Sequence, residues 1–290
     1  MRLALIAFAS LSSCAGPRLF GDGTSVSVGT HANGSVRRPA RLSLQGDGYT
    51  VPTEWRRRES SYGTDELVEL IVRASRRVRR EHPGAVLGVA DLSRRAGGAS
   101  PEHRSHQNGR DADLIPYAVG LKGRPLPPPM QVMLPFSSNG VARLPTGGAA
   151  SAWIGERDLG PEPRRFDDAR NWALVRALLT DPVVEVQWLF VAASLEQRLL
   201  RFAASRREPA ALLAQASEVM HQPGDAQAHD DHFHLRVFCA PADRALGCAD
   251  RGPARWLKKS LKRGMDPVAG RVRLPEVARR IFAGPAWHPL

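Results

Sequence analysis

The spacing of apolar residues predicts one long amphipathic helix in the first third of the chain. In GTDELVELIVRASRRVRREHPG, residues 63–84, apolar side chains recur every three or four positions and therefore share one face of a helix. Thr64 can cap its N-terminus, Asp65 and Glu66 suit the positive end of the helix dipole, and HPG ends it. The residues predicted on the buried face are Leu67, Leu70, Ile71, Ala74 and Val78.

The same patterns predict two further helices, in residues 167–182 and 194–206, with Ser194 as the cap of the second. Apolar runs predict the strands AVLGVADLS, VVEVQWLFVAA and HFHLRVF, and short alternating runs predict strands in an N-terminal extension, residues 15–60. Pro and Gly are dense from residue 121 to residue 160, which indicates a long loop excursion. Because strands and helices mix without strict β–α–β alternation, the sequence predicts an α+β fold with a central, mostly antiparallel sheet flanked by helices.

The N-terminus and the net charge indicate where the protein acts and what kind of partner it binds. MRLALIAFASLSSCAG has one Arg, an apolar run and then small residues, which is typical of a short secretory signal over residues 1–14. LSSC also resembles a lipobox, so lipidation of Cys14 is left open as the one link to a membrane. The formal charge of +12 favours polyanionic partners, although it also fits an Arg-rich composition without function. Export argues against nucleic acid as a partner.

Two further cysteines, Cys239 and Cys248, lie close together near the C-terminus. In an oxidising compartment such a pair indicates a disulfide, and two buried free thiols are the alternative. They lack the paired CxxC spacing of a zinc-binding cysteine cluster.

A histidine-rich stretch, HDDHFH at residues 229–234, is the first candidate for chemistry. Residues two apart in a strand point to the same side, so His232 and His234 share a face while Phe233 points into the core. The HxH pattern alone is a weak signal, since two exposed histidines on an edge strand would give it too.

A second cluster, HRSHQNGRDADLI, supplies partners for those histidines. Asn108-Gly109 is a strong hairpin signal, and a hairpin would place His106 and Asp113 on adjoining strands. With a histidine of HxH they would form a His/Asp/His set, and three protein ligands plus water is the arrangement of catalytic zinc. Asp111 lies on the same face as Asp113 and is the main rival carboxylate.

Together, SHQNGRDAD and HDDHFHLRVFC resemble the penicillin-insensitive murein endopeptidases, which belong to the zinc peptidase group of the lysostaphin-type enzymes, the D-alanyl-D-alanine carboxypeptidases and the hedgehog domain. The resemblance covers residues 63–250, which implies a catalytic domain at residues 61–250 with a hedgehog-like core and a basic C-terminal tail at residues 251–290. It implies that His106, Asp113 and His234 are zinc ligands. It also implies that His232 is catalytic with help from His229, that His103 lines the site, and that Cys239 and Cys248 form a disulfide. Other cysteines of the family are missing, and HDD departs from its pattern, which leaves the roles of Asp230 and Asp231 open.

The implied chemistry is zinc-dependent peptide hydrolysis. Zinc lowers the pKa of bound water from about 16 towards about 7 and polarises a carbonyl, while His232, helped by His229, takes a proton or steadies the oxyanion. The resemblance implies bacterial peptidoglycan as the substrate, cut at a D-alanyl–diaminopimelyl cross-link in the periplasm.

Two other functions fit the same residues. A D-alanyl-D-alanine carboxypeptidase or dipeptidase would use the same zinc site on uncross-linked peptides, although SHQxGxDxD favours the endopeptidase. A non-catalytic wall-binding module would keep the metal without turnover, and the presence of His232 argues against it. His31 and His221 are interpreted as ordinary polar residues.

Overall fold

The computed structural model describes residues 22–143, 163–224 and 226–252. The signal-like segment with Cys14, most of the basic C-terminal tail and part of the Pro- and Gly-rich excursion lie outside the described residues. Among the residues that are described, no helix is both long enough and apolar enough to cross a bilayer.

The described strands and helices alternate irregularly along the chain. In chain order the strands are β1 Val26–Thr30, β2 Asn33–Arg37, β3 Ala40–Arg41, β4 Gln45–Gly46, β5 Tyr49–Thr50, β6 Tyr62–Gly63, β7 Leu87–Val89, β8 Asp111–Ile115, β9 Ala118–Val119, β10 Pro125–Leu126, β11 Arg165–Phe166, β12 Val186–Phe190, β13 Met220–His221 and β14 Phe233–Val237. The helices are α1 Thr53–Arg56, α2 Asp65–Glu81, α3 Asp168–Leu179, α4 Ala193–Ser205, α5 Ala210–Val219 and α6 Pro241–Ala245.

Helix α2 forms where the sequence predicts it. The Thr64 hydroxyl accepts a hydrogen bond from the backbone N–H of Leu67, which satisfies one of the free donors at the first turn. The predicted apolar face is buried, and α2 packs against α3, so the two helices form one layer over the sheet. Helix α3 is also confirmed, with Asp167 capping it by accepting from the N–H of Arg170.

The third predicted helix begins at a different residue from the one expected. Helix α4 begins at Ala193 with Ala192 as its N-cap, so Ser194 lies inside the first turn and does not cap it. Helix α5 was not predicted, although its Leu212, Ala216 and Val219 are buried. It is short and it packs on α4 and β12, so its stability comes from these contacts more than from its own sequence.

The largest sheet has the strand order β13-β12-β14-β8-β7-β5-β4. Only β13 with β12 and β5 with β7 pair in parallel, and the other neighbours are antiparallel. The α+β class and the mostly antiparallel sheet are therefore confirmed. Residues 45–50, which the sequence assigns to an N-terminal extension, form β4 and β5 at one edge of this sheet, and the proposed boundary at residue 60 stays a prediction.

The centre of this sheet places the two candidate sequence clusters side by side. Strands β8 and β14 are antiparallel, with His234 opposite Asp113 and Arg236 opposite Asp111. Every residue of both strands is buried. The register therefore brings DAD and HxH together at the middle of the fold, where the backbone is fixed on both sides.

Candidate metal centre

The carboxylate of Asp113 lies at the centre of a histidine cluster. Its Oδ1 atom is 3.3 Å from Nε2 of His106, 3.2 Å from Nδ1 of His234 and 3.6 Å from Nε2 of His232. Only 1% of the side chain is exposed. Burial alone would raise the pKa of Asp113, but the surrounding imidazoles outweigh it and hold the pKa well below its usual value.

His106 reaches Asp113 from a loop. The strand neighbours of β8 are β14 and β7, and Asn108-Gly109 forms a turn that leads into β8, so the predicted hairpin is wrong. The loop is held by the β1–β2 hairpin, since the N–H of Gln107 donates to the carbonyl of His31 over 3.0 Å. His106 itself has a φ of +66°. Its carbonyl accepts from the hydroxyl of Ser93, which supports this left-handed conformation.

The two buried imidazoles each have one nitrogen tied to an acceptor outside the cluster. Nδ1 of His106 donates to the carbonyl of Leu92 over 2.9 Å. Nε2 of His234 donates to Oδ1 of Asp111 over 2.8 Å, and that oxygen also accepts from Nε of Arg236 over 2.6 Å. When each ring is neutral, as a metal ligand must be, its other nitrogen carries the lone pair, and both lone pairs then face Asp113.

Asp111 therefore points away from the cluster and supports His234 from behind. Its side chain is fully buried, and the charge of Arg236 together with the His234 hydrogen bond lowers its pKa despite that burial. The sequence left Asp111 as a rival to Asp113, and the geometry favours Asp113 as the ligand.

His232 and His229 form the more exposed side of the cluster. Nδ1 of His232 donates to Oδ1 of Asp231 over 2.6 Å, which directs Nε2 towards Asp113. Burial would lower the pKa of His232, but the charges of Asp113 and Asp231 raise it to about 9. Burial lowers the pKa of His229 to about 4, so this ring is neutral at neutral pH. The two ring centroids are 5.0 Å apart.

His103 completes the cluster on the opposite side. Its ring stacks on His106 with centroids 4.3 Å apart, and its Nε2 lies 2.9 Å from Oδ2 of Asp91 and 3.7 Å from Oδ2 of Asp113. Every histidine that the sequence placed at the site is thus present there. Of the two aspartates with open roles, Asp231 contacts His232 and Asp230 pairs with Arg143 at 3.1 Å.

The cluster fits a divalent cation bound by nitrogen and oxygen. Within the described part of the chain, Nε2 of His106 and both carboxylate oxygens of Asp113 are buried without a hydrogen-bond partner. Ligand atoms about 2.0–2.2 Å from a tetrahedral zinc ion stand roughly 3.3 Å apart, close to the separations of 3.2 and 3.3 Å around Asp113 Oδ1. His103, His106 and Asp113 form one group with metal-ligand spacing, and His229, His232 and His234 form another; the 3.2 Å contact between Asp113 and His234 joins the two groups.

A cavity of about 580 Å³ opens beside the cluster and gives it access to solvent. Its lining includes Asp113, His103 and His232, together with Arg58, Arg143 and further acidic and apolar side chains. A molecule in the cavity can therefore contact Asp113 and His232, while His106 and His234 are buried and do not line it.

The sequence missed three residues of the surroundings. Asp91 and Arg236 bond to site residues, as given above; Asp91 lies outside the motifs of the resemblance, and Arg236 lies within HDDHFHLRVFC, where the resemblance implies no role for it. His31 of the turn between β1 and β2 is near Arg236 and Asp111, and burial together with the Arg236 charge lowers its pKa to about 4. His31 lies more than 60 residues along the chain from the nearest ligand candidate, so no local pattern could predict that it is close to the site.

The disulfide between Cys239 and Cys248 is present and closes the loop that follows β14. This loop contacts the N-terminal hairpin, since the N–H of Gly29 donates to the carbonyl of Gly247 and Gly29 accepts from Ala249. The disulfide thereby helps to hold the hairpin that in turn holds the His106 loop.

Comparison with known proteins identifies similar sequences. Residues 27–122, which include His103, His106, Asp111 and Asp113, match a family model described as penicillin-insensitive murein endopeptidase. A protein with that name from Salmonella paratyphi C is 36% identical over 230 residues, covering 79% of this chain and 71% of the relative. Relatives of the same name from Klebsiella pneumoniae subsp. pneumoniae and Haemophilus influenzae are 28% and 24% identical, each over 80% of this chain and over 72% and 69% of the relative.

Proposed function

Because the chain belongs to the penicillin-insensitive murein endopeptidase family, we propose that it is a zinc-dependent peptidase that hydrolyses peptide cross-links in bacterial peptidoglycan. The observation that supports this most is the buried Asp113 carboxylate, with imidazole nitrogens 3.2–3.6 Å from one of its oxygens. A buried carboxylate surrounded by imidazole nitrogens is suited to bind a cation. The proposal extends to the hedgehog-like zinc peptidase core and to a D-alanyl–diaminopimelyl bond as the target.

The chain's own residues divide into ligands and proton carriers. The proposed ligands are His106, Asp113 and His234, with their lone pairs fixed by the outer hydrogen bonds to Leu92 and Asp111. Bound zinc would supply a Lewis acid and lower the pKa of a coordinated water towards about 7.

His232 is the proposed general base because its Nε2 faces the cluster and its Nδ1 is held by Asp231. A cation held by Asp113 would offset the charge that raises the pKa of His232 most, and this pKa would then fall towards the range of a general base. His229, neutral and 5.0 Å away between ring centroids, can hydrogen-bond the reacting carbonyl oxygen or the departing amine.

The charge of the chain and its N-terminus fit an exported protein that works on an anionic wall. At +12 the protein should bind isolated sacculi more weakly as salt rises, because exposed charges are screened over about 10 Å at 0.1 M ionic strength. Sedimentation with purified walls across a salt series measures this, and binding independent of salt would contradict the electrostatic account. Periplasmic location and lipidation of Cys14 belong to the same proposal.

The decisive experiment uses a purified cross-linked muropeptide dimer. Mass spectrometry should show two monomers, no products after treatment with a zinc chelator, and recovered products after zinc is returned. Parallel incubation with D-alanyl-D-alanine and with uncross-linked pentapeptide separates the carboxypeptidase alternative. Sacculus binding without soluble fragments would instead indicate a wall-binding module.

A further inference from the structure

Asp91 is a buried carboxylate that no step of the proposed mechanism uses. It follows β7 and is 1% exposed. Its backbone pairs with the residue at the centre of the site, because the N–H of Asp113 donates to the carbonyl of Asp91 over 2.9 Å and the N–H of Ala90 donates to the carbonyl of Asp113 over 2.9 Å. Asp91 and Asp113 are therefore fixed side by side.

The two oxygens of Asp91 have different partners. Oδ2 accepts from Nη1 of Arg58 and from Nε2 of His103, each over 2.9 Å. Oδ1 accepts from the hydroxyl of Ser60. Asp91 thus bonds the segment that follows α1 through both oxygens, at Arg58 and Ser60, and holds His103 through Oδ2.

The contact with Asp91 fixes the orientation and the tautomer of His103. Within the described residues, the polar contacts of Nε2 of His103 are with carboxylate oxygens, Oδ2 of Asp91 at 2.9 Å and Oδ2 of Asp113 at 3.7 Å. Carboxylates accept hydrogen bonds, so this nitrogen must carry the hydrogen. The N–H group then points between two buried carboxylates while the ring stacks on His106 at 4.3 Å.

We propose that Asp91 is a positioning residue that acts through His103 on Asp113 and fixes which oxygen of Asp113 faces His106 and His234. His103 attracts Oδ2, which leaves Oδ1 turned towards the two ligand imidazoles at 3.3 and 3.2 Å. The hydrogen bond to Asp91 holds the His103 ring against Asp113, and outer groups that orient a metal ligand typically change metal affinity by about 10–100-fold when they are removed. The inference rests on the proposed zinc site.

The test measures Zn²⁺ affinity of the full chain by competition with a chromophoric chelator. Asp91→Asn and His103→Ala should each weaken binding by about 10–100-fold. Because Asp91 acts through His103, adding Asp91→Asn to His103→Ala should cause no further loss. The visible spectrum of the Co²⁺-loaded protein, which reports coordination number, should change alike in both single variants.

Ser60→Ala is the matched control, since it removes the hydrogen bond to Oδ1 of Asp91 and leaves Arg58 and His103 on Oδ2. Its zinc affinity should equal that of the wild type. Thermal unfolding of the metal-free proteins reports folding, and His103→Ala decides the matter alone if Asp91→Asn does not fold. Wild-type affinity in His103→Ala, equal further loss on adding Asp91→Asn to it, or an equal loss in Ser60→Ala overturns the inference. Failure of the wild type to bind zinc overturns the proposed function itself.

Discussion

Replacement of Asp111 by asparagine tests whether this carboxylate supports the site from behind or binds the metal. Asp111 is fully buried, and its Oδ1 accepts from both His234 and Arg236. Asparagine keeps the size and one acceptor oxygen but removes the charge. The variant should therefore still bind zinc, with a weaker hold on the His234 ring.

The contacts of Asp111 allow an estimate of the loss in zinc affinity and of the loss in stability. Loss of an outer carboxylate on a ligand histidine costs about 10–100-fold in metal affinity, or roughly 1.4–2.7 kcal/mol. Arg236 is 5% exposed, and removing one partner of a buried ion pair costs about 3–5 kcal/mol. The remaining acceptor places the loss near the lower figure, and about 3 kcal/mol corresponds to a fall in Tm of roughly 6–12 °C.

The assay pairs Asp111→Asn with Asp113→Asn. Metal-free melting should show a marked loss of stability in Asp111→Asn, and competition titration should show weakened but stoichiometric zinc. Asp113→Asn should bind no stoichiometric zinc, because it removes the proposed ligand itself. If Asp111→Asn loses zinc while Asp113→Asn retains it, the two carboxylates have been given each other's roles and the proposed ligand set is refuted.

Three further predictions concern the base, a buried acid and the disulfide. His232→Ala should keep stoichiometric zinc by metal analysis and lose turnover; loss of the metal on dialysis would make His232 a ligand. Burial outweighs the hydrogen bond from the N–H of Ser27 and raises the pKa of Asp243 from 3.8 to about 7. The folded chain therefore holds a proton that the unfolded chain has released, and stability falls as pH rises from about 4 to about 7. Denaturant unfolding should show Asp243→Asn more stable than the wild type by up to about 4 kcal/mol at about pH 8 and equal to it at about pH 4; an equal gain at both pH values would contradict the shift. Replacing Cys239 and Cys248 by Ala should lower stability by about 2–3 kcal/mol, judged from the length of the closed loop, and an unchanged denaturation midpoint would contradict this.

The parts of the fold that sequence predicts are those decided by local spacing. Helix α2 has a cap, a charged first turn and an apolar stripe within its own 17 residues, so every local signal agrees. The same holds for HxH, where period-two geometry places His232 and His234 on one side whatever the strand pairs with. The sequence did not predict helix α5, because this helix is short and depends on contacts with α4 and β12.

The site is less predictable where long-range contacts decide the geometry. Asn-Gly favours a turn, and a turn forms, but whether a hairpin follows depends on which chain segment pairs with the residues before it. Here the β1–β2 hairpin bonds that segment at Gln107, some 75 residues along the chain from His31. Asp111 and Asp113 are equivalent in local pattern, and contacts with distant residues distinguish them: Arg236, 125 positions away, pairs with Asp111, while histidines surround Asp113.

Charge pairing around the cluster explains why one carboxylate, and not its neighbours, is left for a metal. Asp91 pairs with Arg58 and Asp111 pairs with Arg236, so each of these buried charges is balanced by a guanidinium. The ion-pair contacts of Asp113 within residues 22–143, 163–224 and 226–252 are with histidines only. Of these histidines, His232 is positively charged at neutral pH, because its pKa is raised to about 9. His106 and His234, when neutral, are held with lone pairs towards Asp113 by Leu92 and Asp111 and add no positive charge. A divalent cation adds positive charge beside Asp113 and accepts both lone pairs. Metal binding should therefore raise the stability of this protein, and the gain should be lost in Asp113→Asn, where the ligand carboxylate is gone.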